Sequence, residues 1–197
     1  MNKINPKEER TFLMIKPDGV RKGLIGEIIK RIEQRDLKIV ALEMFHATFD
    51  ELDNHYPKDE AWIARLGDKT LSTYEKYGYD ALKDFGTINN LEIGKEIRKW
   101  LIDFMISSPM TRMVIEGVHA VDMVRKIVGP TLPINADMGT IRGDYSADSP
   151  ALANMEKRAV MNLVHASETQ EEAKHEIEHW FGKKQIFNYK RYSIDNE

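Results

Sequence analysis

The chain predicts an α+β sandwich, a single antiparallel sheet covered by helices. Short apolar runs of strand length alternate with segments of helical period, in the order βα-β-(helices)-βα-β. The runs stop at strong turn formers, among them Lys16-Pro17-Asp18-Gly19 and Gly129-Pro130. At 197 residues the chain is long enough to bury a core and short enough for one domain spanning 1–197.

Thr11 to Ile15 reads as the first strand and Lys16 to Gly19 as a turn. A helix follows from about Leu24 to Arg35, with Leu24, Ile25, Ile28, Ile29 and Ile32 on one face, then a strand over Leu37 to Phe45. A helix carrying Ile97, Leu101 and Met105 ends before Pro109, and Met113 to Ile115 is a third strand. Ala120, Val121, Val124, Ile127 and Val128 repeat at helical spacing. Alternation from Ala159 to Val164 predicts a buried strand with His165 at its end. Thr169 and Glu172 then form a capping box for a final helix, whose buried stripe is Ala173, Ile177, Trp180 and Phe181. Two stretches fall outside the scheme: a helical insertion at about 57–94 and a shorter loop insertion at about 146–157. Irregularly spaced aromatics in the first, Trp62, Tyr74, Tyr77, Tyr79 and Phe85, suggest a small satellite core.

Composition removes several function classes. A net charge of −3 and a pI near 6.1 give no electrostatic case for a nucleic acid or membrane partner. The absence of cysteine excludes thiolate chemistry, Cys-ligated zinc and disulfides. With no apolar segment of signal or membrane length, a cytoplasmic protein is expected.

His165 is the first candidate for chemistry, because neutral imidazole is both nucleophile and proton acceptor. Alone it would more often be structural. Neither a Walker A loop nor a dinucleotide glycine motif is present, so side chains would have to hold any phosphate. Lys16 at the end of the first strand, Arg125 near a helix end, Thr131 after it and Arg142 between Gly139 and Gly143 could serve. Glu176 falls on the flank of the last helix's apolar stripe, where a half-buried carboxylate wants a partner such as His165. The same helix spells His175-Glu176-Ile177-Glu178-His179, a zinc-protease pattern. Gln185 stands where a long form of that motif has its third histidine, and both histidines lie opposite the apolar stripe, so the match reads as chance.

Taken in order, these residues make the chain resemble a nucleoside diphosphate kinase. Arg10-Thr11-Phe12 through Lys16-Pro17-Asp18-Gly19-Val20 and Gly23-Leu24-Ile25-Gly26-Glu27 are similar to the family's opening. Glu116-Gly117, Gly129-x-Thr131-x-Pro133, Gly139-Thr140-Ile141-Arg142-Gly143-Asp144 and Asn162-x-x-His165-Ala166-Ser167 follow in the family's order. The resemblance implies a ferredoxin-like βαββαβ fold and a ping-pong transfer of γ-phosphoryl through phosphohistidine at His165. It implies Glu176 as the partner of the second ring nitrogen and Ser167 as an orienting hydroxyl. Lys16 and Arg142 would hold the transferred phosphoryl, Arg125 and Thr131 the preceding phosphate, and Asn162 with Lys16 the ribose hydroxyls. Tyr56 would lie near the phosphates, and Mg²⁺ would be held by nucleotide phosphates rather than by side chains. Ile97 takes the position of the base-stacking aromatic, with Trp100 or Trp62 as substitutes. A homo-oligomer built from dimers is implied, its size open. A nucleotide-binding module that has lost catalysis is the alternative on the same fold.

Overall fold

A computed structural model describes residues 8–191. Within them the chain divides into two compact units. One contains the stretches up to Phe45, Pro109–Ser146 and Asn162 onward; the other contains His46–Ser108 and Ala147–Met161.

The first unit is built on four antiparallel strands, β1 (Glu9–Ile15), β2 (Lys38–Phe45), β3 (Met110–Gly117) and β4 (Val164–Ala166), ordered β2-β3-β1-β4. With the crossing helices α2 (Ile25–Glu33) and α7 (Ala120–Val128), this is the expected ferredoxin-like βαββαβ arrangement. β1 and β3 are the central strands and are buried along nearly their whole length, with the apolar runs Phe12–Ile15 and Met113–Ile115 at their centres. Leu13, Ile15, Met113 and Ile115 pack on one face against Ile28, Ile32, Ala120 and Val124. Phe12 points to the other face, against Trp180 and Phe181 of α10 (Gln170–Phe181). β2 is an edge strand, and its outer side is occupied where the Phe187 amide donates to Val40 O at 2.8 Å.

Four details depart from the sequence reading. The turn after β1 is a short helix, α1 (Pro17–Arg21), because Pro17 at its first position is already set to a helical φ and Asp18 favours its N-terminus. The last strand is three residues long, with His165 in its middle; Leu163 has φ of 69°, which ends extended pairing before Val164. On α10, Glu176 rather than Ile177 is the fully buried member of the stripe, since its carboxylate has partners below it. Only half of the expected capping box forms there. Thr169 Oγ1 accepts from the Glu172 amide, and the Glu172 carboxylate takes the Glu168 amide instead of that of Thr169.

The second unit is helical: α3 (Phe49–His55), α4 (Glu60–Tyr77), α5 (Ala81–Phe85), α6 (Asn90–Met105) and α9 (Pro150–Met155). Side-chain caps start each of them, from Thr48, Asp59, Asp80, Asn89 and Ser149. α4 and α6 cross at two glycines. A Cβ on Gly67 would stand 1.9 Å from Asn90 O, and one on Gly94 would stand 2.0 Å from Ile63 O. The satellite aromatic core is present around buried Tyr74, with Tyr79 and Phe85 at centroid distances of 5.4 and 5.5 Å. α9 is closed by Asp148, which accepts from Arg158 and from the Met161 amide.

Candidate active site

Three chain segments of the first unit converge at the C-terminal end of β1. The β1–α1 junction supplies Lys16 and Asp18. The stretch after α7 leads through a 3₁₀ turn (Pro133–Asn135) to α8 (Ile141–Tyr145), which carries Arg142. The third segment is Asn162 to Ser167. Between them lies a cleft of about 160 Å³, with Lys16, Arg125, Thr131, Arg142, Asn162 and His165 in its wall.

Arg142, Lys16 and Asn162 are held before any ligand arrives. Arg142 is 6% exposed and spans three carbonyls: Nη1 donates to Gly129 O at 2.6 Å, Nη2 to Val164 O at 2.7 Å and Nε to Asn162 O at 3.1 Å. Thr140 caps α8, and Gly143 is required there because a Cβ would meet Asp137 O at 2.0 Å. That glycine serves close backbone packing. Lys16 Nζ donates to Asn162 Oδ1 at 2.8 Å, and Asn162 Nδ2 donates to Thr131 O at 2.9 Å. Arg125 is exposed and reaches Glu168 at 3.5 Å, so the glutamate after Ser167 sits at the rim.

His165 pairs with Met14 across the sheet and is about a quarter exposed. Its Nε2 lies 2.5 Å from Glu176 Oε1, and Ser167 Oγ donates to Glu176 Oε2 at 2.7 Å. Glu176 and Ser167 are 3% and 0% exposed. An ionised carboxylate at Nε2 favours the tautomer with its proton there, which leaves the lone pair on Nδ1. Such a ring is a nitrogen nucleophile held from behind.

The electrostatics point to an anion. Burial, and then the neighbouring Arg142 charge, lower the Lys16 ammonium to about 8, with Asp18 opposing. Burial and then Arg125 lower Arg142 to about 10, again opposed by Asp18. Cations gathered so closely destabilise one another until a negative group enters. A larger hollow of about 620 Å³ lies within the second unit, lined by Asp84, Glu92, Glu96, Phe85 and Trp100 among others. Its carboxylates would repel a phosphate chain, and it holds no histidine.

Tyr56 and Ile97 both belong to the second unit and are half-buried; neither is in the wall of the small cleft. Tyr56 ends α3 with its ring 6.2 Å from that of Trp62, and Ile97 lies on α6. Trp100, a possible substitute for Ile97, donates from Nε1 to Glu96. The zinc-protease pattern on α10 does not assemble: Glu176 turns inward to Ser167 and His165, while His175 is exposed and stacks on His179 at 6.5 Å. Sequence reasoning passed over Asp18 and Leu163. Asp18 looked like a turn residue, and nothing in a leucine announces a positive φ.

Comparison with known proteins agrees with the geometry. The model of the nucleoside diphosphate kinase family matches residues 9–62 and 90–186. The nucleoside diphosphate kinase of Pyrobaculum aerophilum is 48% identical over 178 residues, 90% of this chain and 97% of that one. That of Archaeoglobus fulgidus is 34% identical over 187 residues, 95% of each chain. Among solved structures, an NDP kinase from P. aerophilum superposes with a TM-score of 0.87 at 46% identity, over 92% of this chain and 100% of that one. A transition state mimic of the Borrelia burgdorferi nucleoside-diphosphate kinase, with bound vanadate and ADP, gives 0.75 at 32% identity over 95% of both.

Proposed function

Because the chain belongs to the nucleoside diphosphate kinase family, we propose that the phosphoryl transfer it catalyses between nucleoside tri- and diphosphates runs through phosphohistidine at His165. The observation that carries this reading is the His165–Glu176–Ser167 chain, set in the wall of a cleft that also holds Lys16, Arg125 and Arg142.

In the first half-reaction the Nδ1 lone pair attacks the γ-phosphorus. An N–P bond forms, the bond from phosphorus to the bridging oxygen breaks, and the diphosphate leaves with that electron pair. The ring becomes cationic while Nε2 keeps its proton, and the Glu176 carboxylate stabilises that charge. In the second half-reaction a terminal oxygen of another nucleoside diphosphate attacks the same phosphorus and the N–P bond breaks. Lys16 and Arg142 meet the charge spread over the transferred group, and Arg125 with Thr131 meets the preceding phosphate. In the same reading Asn162, which is bonded to Lys16 and to Thr131 O, would meet the ribose hydroxyls.

Lys16, Arg125 and Arg142 outnumber Glu168 and Glu172 in the cleft wall, which supports a metal carried in on the nucleotide. Mg²⁺ brought in with the nucleotide would supply further charge neutralisation. Tyr56 near the phosphates and Ile97 at the base are parts of the same reading, as are a cytoplasmic setting and a homo-oligomer built from dimers. No helix of the described residues is long and apolar enough to cross a membrane.

The test is to incubate the protein with Mg²⁺ and γ-labelled ATP, then chase with GDP. Acid-labile label that passes to GTP, absent in folded His165→Ala, is expected. A folded wild type that binds nucleotide and takes no label would refute the reading and favour a binding module.

A further inference from the structure

Asp18 has no part in the transfer described above, yet its carboxylate is 6% exposed beside the cleft residues. Oδ2 accepts the Leu163 amide at 2.9 Å. The Leu163 carbonyl in turn accepts the Lys16 amide at 2.8 Å, and the Val164 amide folds back to Asn162 O at 2.8 Å. With φ of 69° at Leu163, that i to i+2 bond defines a γ-turn of the rare positive-φ kind. A non-glycine residue there costs about 1–3 kcal/mol and persists only where its surroundings over-determine it. The β1–α1 junction does so by holding both peptide groups of Leu163. Gly19 leaves room for the contact, since a Cβ there would stand 2.8 Å from Leu163 O.

Two residues after Leu163 comes His165. Strand geometry makes the direction of entry decisive, because a change of one residue in register would send the imidazole to the opposite face of the sheet. The second oxygen, Oδ1, is buried without a hydrogen-bond partner. Its charge favours the charged forms of both Lys16 and Arg142, against burial, against the repulsion of Lys16 by Arg142 and against that of Arg142 by Arg125.

We propose that Asp18 is a positioning residue for the phosphoryl transfer: one oxygen pins the γ-turn that aims His165, and its buried negative charge offsets Lys16 and Arg142 until a phosphate replaces it. This rests on the kinase reading above. Lys16 is faced by Asp18 from α1, Arg142 from α8 and Asn162 from the last segment; Arg125, His165, Glu168 and Glu172 share the cleft wall.

Two substitutions separate the roles. Asp18→Asn keeps an acceptor for the Leu163 amide without the charge, and Asp18→Ala removes both. Single-turnover labelling by γ-labelled ATP is measured from pH 6 to 9.5 on full-length protein, with thermal unfolding and ¹⁵N spectra of the His165 ring. Asp18→Ala is expected to label roughly a hundredfold more slowly, with a smaller change in ADP affinity and displaced ring resonances. Asp18→Asn is expected to recover most of that rate at pH 6.5, where Lys16 is charged. Its alkaline limb should fall about half a unit or more below that of the wild type. A folded Asp18→Ala that labels within about twofold of wild type overturns the positioning role. An unshifted alkaline limb in Asp18→Asn overturns the charge role, and decides alone if the alanine variant does not fold. A wild type that takes no label fails the kinase reading instead; unmoved His165 resonances in Asp18→Ala then overturn the positioning role independently.

Discussion

Replacing Glu176 by glutamine keeps the shape of the His165–Glu176–Ser167 chain and removes its charge. The amide oxygen can still accept from Nε2, and its NH₂ can donate to Ser167 Oγ, so the hydrogen-bond count survives in a site where the carboxylate is 3% exposed. What disappears is the charge-assisted part of the bond to a ring that turns cationic as the N–P bond forms. Hydrogen bonds to charged groups contribute about 1.5–3 kcal/mol. At about 1.4 kcal/mol per tenfold, that predicts phosphohistidine formation slowed roughly 10- to 150-fold. The opposite amide orientation would place NH₂ at Nε2 and move the ring proton to Nδ1, which blocks the nucleophile and deepens the loss. Glu176 contacts the back of the ring and is not in the cleft wall, so ADP affinity should hold. Quench-flow with γ-labelled ATP gives the step, and competition binding gives the affinity. A Glu176→Gln protein that labels within about twofold of wild type at saturating ATP would refute the assignment.

Lys16 gives a proton-linked prediction. Its folded-state value of about 8 lies below the unfolded 10.5, so between those values the unfolded chain holds the extra proton. Stability from this residue therefore rises with pH across that window, by roughly 3 kcal/mol in total, and Lys16→Met should abolish the rise in urea unfolding. A bound phosphate favours the ammonium, so nucleotide binding at pH 8 should take up about half a proton, read by calorimetry in buffers of different ionisation enthalpy. Arg142→Lys can reach only one of the three carbonyls the guanidinium spans, and should cost roughly 2–4 kcal/mol of stability as well as activity. Gly67→Ala should lower the stability of the helical unit by about 2 kcal/mol or more, since its methyl would overlap Asn90 O. Gly26→Ala, with nothing within 4 Å of its Cβ, is the control and should not destabilise.

The first three strands and the helix over Ala120–Val128 were legible because apolar periodicity reports burial directly, and burial is what a sheet and its covering helices share. The site was legible for a different reason: His165, Lys16 and Arg142 are residue types whose chemistry shows in the letter. Helical spacing puts Glu176 only on the flank of the apolar stripe, half-buried, because spacing alone does not show the partners that let a carboxylate go further in. Its full burial depends on His165 and Ser167, brought to it by the pairing of β4 with β1. The overlong last strand failed for a conformational reason. Ala159 to Val164 alternates like a strand, but the φ of Leu163 is imposed by Asp18 and Lys16 from 145 and 147 positions away. No local pattern carries that information.

Arg142 also sets a valence limit on the cleft. A guanidinium has five N–H groups, and three are committed to the carbonyls of Gly129, Asn162 and Val164. One N–H remains on each terminal nitrogen, enough to meet two oxygens of a single phosphoryl group and no more. A triphosphate chain thus cannot be gathered by this arginine alone. Under the proposed function, recognition of its successive phosphates would be divided among separate cations, and the division would make the cleft a ruler: each cation would register one link of the chain, so the number of links would be read without contact to the base.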